Sequence, residues 1–330
     1  MKITHINFTK EIETNTIALI KELSNRGYIQ QIITLDESKM IERLNNIKNI
    51  DIIIANKFYI FNLNYLRSSD IVHSHQKESF LLSYLAHLLY KIPYVITTSS
   101  VLNSKLLYKK ANYTITTSDK IKYNILNYND NINIETIYGG YSHHLIDKTN
   151  SQKIQNRFKY KFLIGNIASL DDEKGQFYLI EAMKKLQISY PTIHLLIIGK
   201  GKNELKYKIQ ASKLDNITFE RDCEKDYIEN LNIFILSADE EQNGSILFDA
   251  MESNVAIIAT NRGVVPEIIE DKKSGLLIAP RNSNQIYSAI EKLYLDKNLR
   301  DKLTSNAYQN IQNYSPQEMA NRYERVYNYR

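Results

Sequence analysis

A strand, a loop and a helix are encoded in order by Ile233-Phe-Ile-Leu-Ser-Ala-Asp-Glu-Glu-Gln-Asn-Gly-Ser-Ile-Leu-Phe-Asp-Ala-Met-Glu-Ser-Asn254. The apolar run 233–236 has the length of a buried strand, and apolar residues recur at helical spacing from Ser245 onward. A second apolar run, Ala256-Ile-Ile-Ala259, follows directly. This order of strand, helix and strand predicts a βαβ unit of a parallel sheet. Glu241 then lies in the loop at the carboxyl end of the first strand.

The same alternation of short apolar runs and amphipathic stretches continues over the rest of the chain. In the second half it predicts strands at 162–165, 193–199, 217–219, 233–236, 256–259 and 275–278. In the first half it predicts strands at 2–7, 29–35, 51–55, 71–74, 94–98, 113–117 and 135–137. The polar stretch 142–158 between these halves has no sustained period and is interpreted as a linker.

These patterns predict an α/β fold with two Rossmann-like, doubly wound parallel-sheet domains at 1–150 and 151–315. Met319, Tyr323 and Val326 recur at helical spacing, so a final helix at 316–330 is expected to pack back on the body of the protein. Two open parallel sheets in tandem bind ligands at the carboxyl ends of their strands. We therefore expect a ligand cleft between the domains.

Composition restricts the class of protein. The 330 residues suffice for two cores, and 43% hydrophobic with 24% charged residues is typical of a folded soluble protein. The one cysteine, Cys223, excludes an intrachain disulfide and agrees with a reducing compartment. No stretch resembles a signal peptide or reaches about 18 apolar residues, so we expect a cytoplasmic protein. A net charge of +5 with scattered cations does not indicate nucleic-acid binding.

The start of the helix after the Glu241 loop is the chemically informative point. Free N–H groups and the helix dipole at such a start favour a diphosphate. Gly244 lets the backbone approach such a ligand closely. Asp249 lies about one turn into the helix. The amides expected to bind the ligand belong to Asn243, Gly244, Ser245 and Ile246.

Glu241 and Asp249 resemble the motif of glycosyltransferase family 4, in which two glutamates are separated by seven residues, with Asp replacing the second Glu. The run 250–278 is similar to the family's continuation of that motif. The resemblance implies a GT-B fold and retention of anomeric configuration. It also implies that Glu241 holds hydroxyls of the transferred sugar and Asp249 the ribose hydroxyls of the nucleotide.

A second match to the family lies in 164–182, where Lys174-Gly175 resembles its Lys-Gly pair. Departure of a nucleoside diphosphate develops negative charge, and the Lys174 cation would stabilise it in place of a metal ion. Ser169, or Ala168 if the alignment is shifted by one residue, stands where the family has an arginine that binds the diphosphate. Arg262 or Lys200 is a candidate replacement for that arginine.

Gly199, in Gly199-Lys-Gly201, also fits the family and predicts a tight turn near the nucleotide base. A dinucleotide fingerprint would need a third glycine and a ribose-binding acid, and neither is found. No Asp-x-Asp motif occurs in the sequence, so a metal that holds the diphosphate is not expected. No cofactor is expected beyond the donor substrate itself.

The first half resembles the family less closely. Asp70-Ile-Val-His-Ser-His75 is similar to its Asp-Val-Val-His-x-His, which makes His75 a candidate contact to the acceptor or sugar; a structural role is the alternative. Tyr138-Gly-Gly resembles its Asn-Gly-Val stretch, and Gly139 is expected to line the cleft. His73 is interpreted as a core histidine. We expect His73 and His75 to face opposite sides of the strand, which argues against a shared metal.

The resemblance implies a hexosyltransferase that moves a sugar from a nucleoside diphosphate sugar to a glycan or lipid-linked acceptor, in surface polysaccharide or lipopolysaccharide synthesis. Three alternatives stay open: a catalytically degenerate sugar-nucleotide-binding partner subunit, a GT-B sugar-nucleotide epimerase, and a glycogen-type phosphorylase, whose pyridoxal lysine is not identified. The basic residues Lys105, Lys109 and Lys110 predict either a peripheral contact with lipid head groups or a solvated helix face.

Overall fold

The computed structural model describes the chain apart from residues 9–13, 36–43, 45–46, 56–58, 103, 129–130, 141–147, 222–224, 242–243 and 330. The chain divides into two compact units. Unit 1 comprises Met1–Ser142 with Tyr314–Arg330, and unit 2 comprises His143–Asn313. Each unit is built on one parallel sheet, which confirms the predicted α/β fold class. Among the helices that the structure describes, none combines the length and the apolar character needed to cross a bilayer.

The sheet of unit 1 has seven strands in the order β3-β2-β1-β4-β5-β6-β7. All neighbouring pairs are parallel, with Ile3 of the first strand opposite Gln30 on one side and Ile71 on the other. The strands are β1 Lys2–Asn7, β2 Ile29–Thr34, β3 Ile50–Ile54, β4 Ile71–Ser74, β5 Tyr94–Thr98, β6 Tyr113–Thr116 and β7 Ile134–Thr136.

The sheet of unit 2 has six parallel strands in the order β10-β9-β8-β11-β12-β13. The strands are β8 Phe162–Ile167, β9 Ile193–Ile198, β10 Ile217–Glu220, β11 Ile233–Leu236, β12 Ala256–Thr260 and β13 Leu276–Ile278. Every residue of β9, β11 and β12 is buried. Burial on both faces explains why these strands are almost entirely apolar and do not alternate between apolar and polar residues.

Helices connect successive strands in both units. In chain order they are α1 Thr14–Asn25, α2 Leu63–Leu66, α3 Lys77–Tyr90, α4 Lys105–Lys110, α5 Asp119–Leu126, α6 Lys148–Arg157, α7 Gln176–Ser189, α8 Glu204–Gln210, α9 Ser245–Glu252, α10 Val265–Ile268, α11 Ser283–Leu295, α12 Lys297–Asn310 and α13 Pro316–Tyr327. In α13, Met319, Tyr323 and Val326 are buried, as their spacing predicts, and belong to a core cluster of unit 1 that also contains Ile3 and Ile71.

Helix α6 occupies residues that the sequence analysis interprets as linker. Ser151 and Ile154 are buried on it, and Phe158 follows in the same pattern. Spacings of three and four place these residues on one helix face, although polar residues at the other positions mask the period. The linker interpretation is therefore wrong for 148–157, and its residues 142–147 lie outside the described residues.

Each sheet has a point where the strand order reverses. In unit 1 the chain moves outward from β1 to β2 and β3, then returns to place β4 beside β1; β8 and β11 adjoin in the same way in unit 2. In open α/β sheets, ligands bind at the carboxyl ends of the strands at this switch point. The candidate site residues of both units are therefore best located relative to these two strand pairs.

Candidate functional site

Lys174 and Glu241 meet at the switch point of unit 2. Lys174 ends the short 3₁₀ turn Asp172–Lys174 that follows β8, and Glu241 lies in the loop that follows β11. The ammonium nitrogen of Lys174 is 3.8 Å from Oε2 of Glu241, and both side chains are partly exposed. The structure thus brings together the two residues that the sequence analysis singles out for catalysis.

Both carboxylate oxygens of Glu241 have partners in unit 2. Oε1 accepts a hydrogen bond of 3.2 Å from the backbone N–H of Gly244, while Oε2 faces the lysine. The amide of Gly244 is therefore not free, in contrast to the expectation for this helix start. The carboxylate is held from two sides, which fixes its position at the beginning of α9.

Backbone contacts hold the two loops together. The N–H of Asp239 donates to the carbonyl of Glu173 at 2.7 Å, and the hydroxyl of Ser237 donates to the carbonyl of Lys174 at 2.8 Å. Gly175 has a positive φ of 73°, and a Cβ there would overlap the carbonyl oxygen of Ser237. Only glycine allows this close approach of the two loops. The glycine that follows Lys174 is therefore needed for the local structure.

The loop after β12 supports Glu241 from the other side. The N–H of Val264 donates to the carbonyl of Glu241 at 2.8 Å. Gly263 has a φ of 61°, and a Cβ there would overlap that same carbonyl. Loops from β8, β11 and β12 therefore all fix the position of the Glu241 backbone.

The start of α9 remains suited to an anion. Gly244 occupies the N-cap position with a left-handed backbone, and as a glycine it has no side chain of its own that could cap the helix. Within the described part of the chain, no acceptor is bonded to the N–H groups of Ser245 and Ile246. Asn243, the remaining predicted member of this group, lies outside the described residues. Asp249 is half-buried within α9.

Gly199 and Ser169 lie on neighbouring loops of unit 2, after β9 and β8. Gly199 has a φ of 148°, and a Cβ there would overlap the carbonyl oxygen of Ala168. The loops are also joined by a 3.0 Å hydrogen bond from the N–H of Leu170 to the carbonyl of Lys200. Ser169 is exposed, and its carbonyl accepts a bond from Gln176.

Arg281, which follows β13, was not predicted as a site residue. Its guanidinium donates to Oδ2 of Asp239 from Nε at 2.9 Å and from Nη2 at 2.5 Å. This hydrogen bonding to the carboxylate raises the pKa of Arg281. Asp239 lies in the Glu241 loop, so the pair places a second cation beside this loop. Arg281 could have been predicted from the sequence, because it is a basic residue just beyond the carboxyl end of a strand.

Three buried histidines lie together in unit 1. His5 is on β1, His73 on β4, and His75 directly follows β4. The ring centroids of His73 and His75 are 3.9 Å apart. The expectation that these two rings face opposite sides is wrong, because residues two apart in an extended chain project to the same side. Sequence spacing gives no sign of His5, which comes from another strand.

All six ring nitrogens of these histidines have hydrogen-bond partners. His5 bonds through Nδ1 to Nε2 of His75 at 2.9 Å and through Nε2 to Gln30. His73 bonds to the hydroxyls of Tyr327 and Thr97, and Nδ1 of His75 bonds to Thr16 at 3.4 Å. The three rings have ligand atoms within 4.8 Å of one another, yet hydrogen bonding alone accounts for the cluster.

Burial lowers the pKa of each of these histidines. The pKa of His5 falls to about 4, and those of His73 and His75 fall well below the usual value, where the neighbouring rings add to the effect. An imidazolium would need a solvation that the core does not offer. The cluster is therefore a neutral network.

Gly139 and His75, the two acceptor-side candidates, both touch the first turn of α1. His75 bonds to Thr16, and a Cβ at Gly139 would overlap the side chain of Asn15. His75 is almost completely buried. The loop that precedes α1, also expected to bind the acceptor, lies at 9–13 outside the described residues.

The residues of unit 2 match a known protein family. Residues 147–310 match the family model for glycosyl transferases group 1. An uncharacterized glycosyltransferase of Methanocaldococcus jannaschii, MJ1069, is 28% identical over 68% of this chain and 60% of its own length. The capsular polysaccharide biosynthesis glycosyltransferase CapM of Staphylococcus aureus is 23% identical over 54% of this chain and 48% of its own.

Solved structures show the fold of both units. Anabaena HepE, crystallised with UDP-glucose, gives a TM-score of 0.83 at 14% identity and covers 99% of both chains. A glycosyltransferase from Rickettsia africae gives 0.85 at 19% identity, over 99% of this chain and 97% of its own. The fold is thus that of the GT-B enzymes. The chain spans between 28% and 60% of the first curated relatives it matches.

Proposed function

Because this chain belongs, through its second unit, to the group 1 glycosyl transferases, we propose that it transfers a sugar from a nucleoside diphosphate sugar to an acceptor hydroxyl. The observation that carries the proposal is the approach of Lys174 to Glu241 beside a helix start whose N-cap residue is a glycine, at the switch point. The Lys174 cation and the two backbone amides suit the anionic diphosphate of such a donor. The Glu241 carboxylate suits the hydroxyl groups of its sugar.

Lys174 and α9 would bind the diphosphate. The N–H groups of Ser245 and Ile246 and the positive end of the helix dipole favour the phosphate oxygens. The lysine ammonium compensates the charge that develops as the diphosphate leaves. Because no Asp-x-Asp motif occurs in the sequence, we propose that these groups act without a metal ion.

Glu241 would bind the transferred sugar. A carboxylate accepts hydrogen bonds from sugar hydroxyls, and the bond from Gly244 together with the nearby lysine keeps this one fixed before the donor arrives. A fixed group loses little conformational entropy on binding, so it orients the anomeric carbon effectively. Asp249, in the same helix, would accept from the ribose, and the Gly199 and Ser169 loops would lie near the base.

The resemblance to family 4 supports transfer with retention. The acceptor oxygen forms its bond to the anomeric carbon while the bond from that carbon to the phosphate oxygen breaks. The acceptor's proton passes to the leaving phosphate on the same face, so no side chain of this chain is assigned as general base.

Unit 1 would bind the acceptor. We propose that the segments at His75 and Gly139 form part of its site, because both meet the first turn of α1 at the switch point of that sheet. The relationship to CapM supports a glycan or lipid-linked acceptor in surface polysaccharide synthesis.

The test is release of nucleoside diphosphate by the purified chain. Nucleotide sugars are first screened for thermal stabilisation, since a ligand that binds only the native state raises Tm. The stabilising donor is then incubated with and without glycan and lipid-linked acceptors. We expect release of nucleoside diphosphate only when the donor and an acceptor are both present. Binding without turnover for any acceptor would instead support the catalytically degenerate subunit, which the serine at position 169 favours.

A further inference from the structure

Helix α3 of unit 1 presents apolar residues to solvent. Leu81, Leu88 and Leu89 are between 44% and 62% exposed, whereas Phe80, Leu82 and Ala86 on the other side of the helix are buried. Leu81 and Leu88 are two turns apart and share one stripe of the helix. Three exposed leucines on one surface helix are more than the isolated apolar residues that ordinary protein surfaces carry.

The segments on either side of α3 extend this surface. The 3₁₀ turn Tyr59–Asn62, α2 and α4 all pack against α3. Each contributes large apolar side chains that are at least 43% exposed. Together with the three leucines they form what we call the apolar face: Ile60, Phe61, Tyr65, Leu81, Leu88, Leu89 and Leu106.

Four lysines and one exposed acid, Glu78, lie on or directly after the helices that carry the apolar face. Lys77 lies one turn before Leu81, and Lys91 directly follows the end of α3. Lys109 and Lys110 are exposed in the last turn of α4. Among the residues that the structure describes, none of these four lysines forms an ion pair within the chain, so their charge is available to an external anion.

We propose that the apolar face is the surface by which this protein docks on an anionic lipid bilayer. Apolar side chains with a basic rim are the pattern of interfacial binding, in which leucine and aromatic residues enter the acyl boundary while lysines meet phosphates. Helix α3 has 14 residues, too few to span a bilayer, so it lies along the surface.

Charge distinguishes this occupant from a second copy of the chain. A symmetric contact through the apolar face would bring the four lysines of one copy close to the same lysines of the other. Like charges at an interface oppose association, whereas the negative surface potential of a bilayer attracts them. Docking would bring the chain to a lipid-linked acceptor; this last step rests on the proposed function, whereas vesicle binding does not.

Vesicle co-sedimentation without any nucleotide sugar tests the proposal. The full chain is mixed with vesicles of phosphatidylcholine alone or with 30% phosphatidylglycerol, an amount chosen on the order of a natural anionic leaflet. We expect pelleting with the anionic vesicles, weaker pelleting with the neutral ones, and loss of the difference as salt screens the lysines. A wild-type chain that stays in the supernatant with both kinds of vesicle overturns the proposal.

Two double variants separate the contributions of the apolar face. Leu81→Gln with Leu88→Gln removes apolar contact and keeps a good helix-forming residue, and we expect vesicle affinity to fall at least about tenfold. Lys109→Gln with Lys110→Gln should lower affinity for anionic vesicles by roughly fivefold per lysine. Leu205 and Ile209 on α8 of unit 2 are more exposed than Leu81, so Leu205→Gln with Ile209→Gln is the matched control.

The control variant should pellet like the wild type. Equal loss in the control and the α3 variant would mean that exposed apolar residues act non-specifically, and the proposal fails. A dimer in solution that the α3 variant converts to a monomer, with no vesicle binding, would assign the apolar face to a second copy instead. Because no donor is present, failure of any of these tests leaves sugar transfer to be judged by its own assay.

Discussion

The ammonium nitrogen of Lys174 lies 3.8 Å from Oε2 of Glu241, and the two residues follow the strands that adjoin at the reversal of the unit 2 sheet. A partly exposed ion pair of this length contributes little to folding stability. Three loops nevertheless converge to hold it, through hydrogen bonds and glycines with left-handed backbones. This support exceeds what so weak a pair needs for folding, which supports the proposal that the two side chains are positioned to bind a ligand.

Replacing Glu241 by glutamine should abolish most sugar transfer while the fold is kept. The amide oxygen of glutamine can still accept the bond from Gly244, but the negative charge that orients the sugar hydroxyls is lost. We expect turnover to fall by roughly 100-fold or more. Steady-state release of nucleoside diphosphate measures the effect.

Glu240 provides a control for the Glu241 variant. It is exposed and adjacent in the same loop, so Glu240→Gln changes the net charge equally. This variant should keep nearly wild-type turnover. Similar rates for the wild type and Glu241→Gln would remove Glu241 from the site.

Lys174→Ala should weaken binding of nucleoside diphosphate. A charge-assisted contact to phosphate contributes enough that we expect a Kd roughly 10- to 100-fold higher, with less dependence on salt. Calorimetric titration at two salt concentrations measures both. Lys202→Ala is the matched control, because Lys202 is an exposed lysine 3.9 Å from Asp171 in the neighbouring loops. The assignment of Lys174 fails if the two variants bind equally well.

Gly263→Ala should damage the site without touching a ligand. Its added Cβ would overlap the carbonyl of Glu241, so the loop must move and carry the carboxylate with it. We expect turnover at least about tenfold lower and a free energy of unfolding lower by about 1–3 kcal/mol. Gly27→Ala shares the positive φ but meets no atom within 4 Å. That control should lose only about 1 kcal/mol and no activity.

The central strands were predictable because they are buried on both faces. The runs 94–98 and 233–236 are continuous apolar or β-branched stretches, and their predicted bounds, like those of 71–74, are those of the structure. The proximity of Lys174 and Glu241 could also be predicted, because loops after adjacent parallel strands meet at one edge of a sheet. The two-sheet architecture follows from the same regular alternation.

Contacts between distant segments were not predictable from local patterns. The ion pair of Arg281 with Asp239 joins loops from different strands, and the bond of His5 to His75 crosses two strands. The bond from Gly244 to Glu241 is local but depends on the loop's backbone conformation. Helix α6 was missed because a few buried residues suffice to hold a short helix whose other positions are polar.

The neutral histidine network predicts that unit 1 loses stability in mild acid. An unfolded histidine titrates near pH 6.5, whereas the pKa of folded His5 is about 4. The contribution of the neutral histidine to the free energy of unfolding is therefore fully present above pH 6.5. It declines as the pH falls toward 4, because the unfolded chain binds protons that the folded core excludes. Each such histidine contributes a slope of about 1.4 kcal/mol per pH unit in this window.

His5→Gln isolates one member of the network. Glutamine cannot take up the proton, so the free energy of unfolding of the variant, whatever its value at pH 7, should decline less steeply between pH 6.5 and 4. His194 of unit 2 is also buried, with a pKa lowered to about 4, and its contribution stays in both proteins. Denaturant unfolding followed by circular dichroism at a series of pH values measures the slopes. Parallel slopes for the wild type and His5→Gln would show that His5 binds its proton as readily in the folded core as in the unfolded chain.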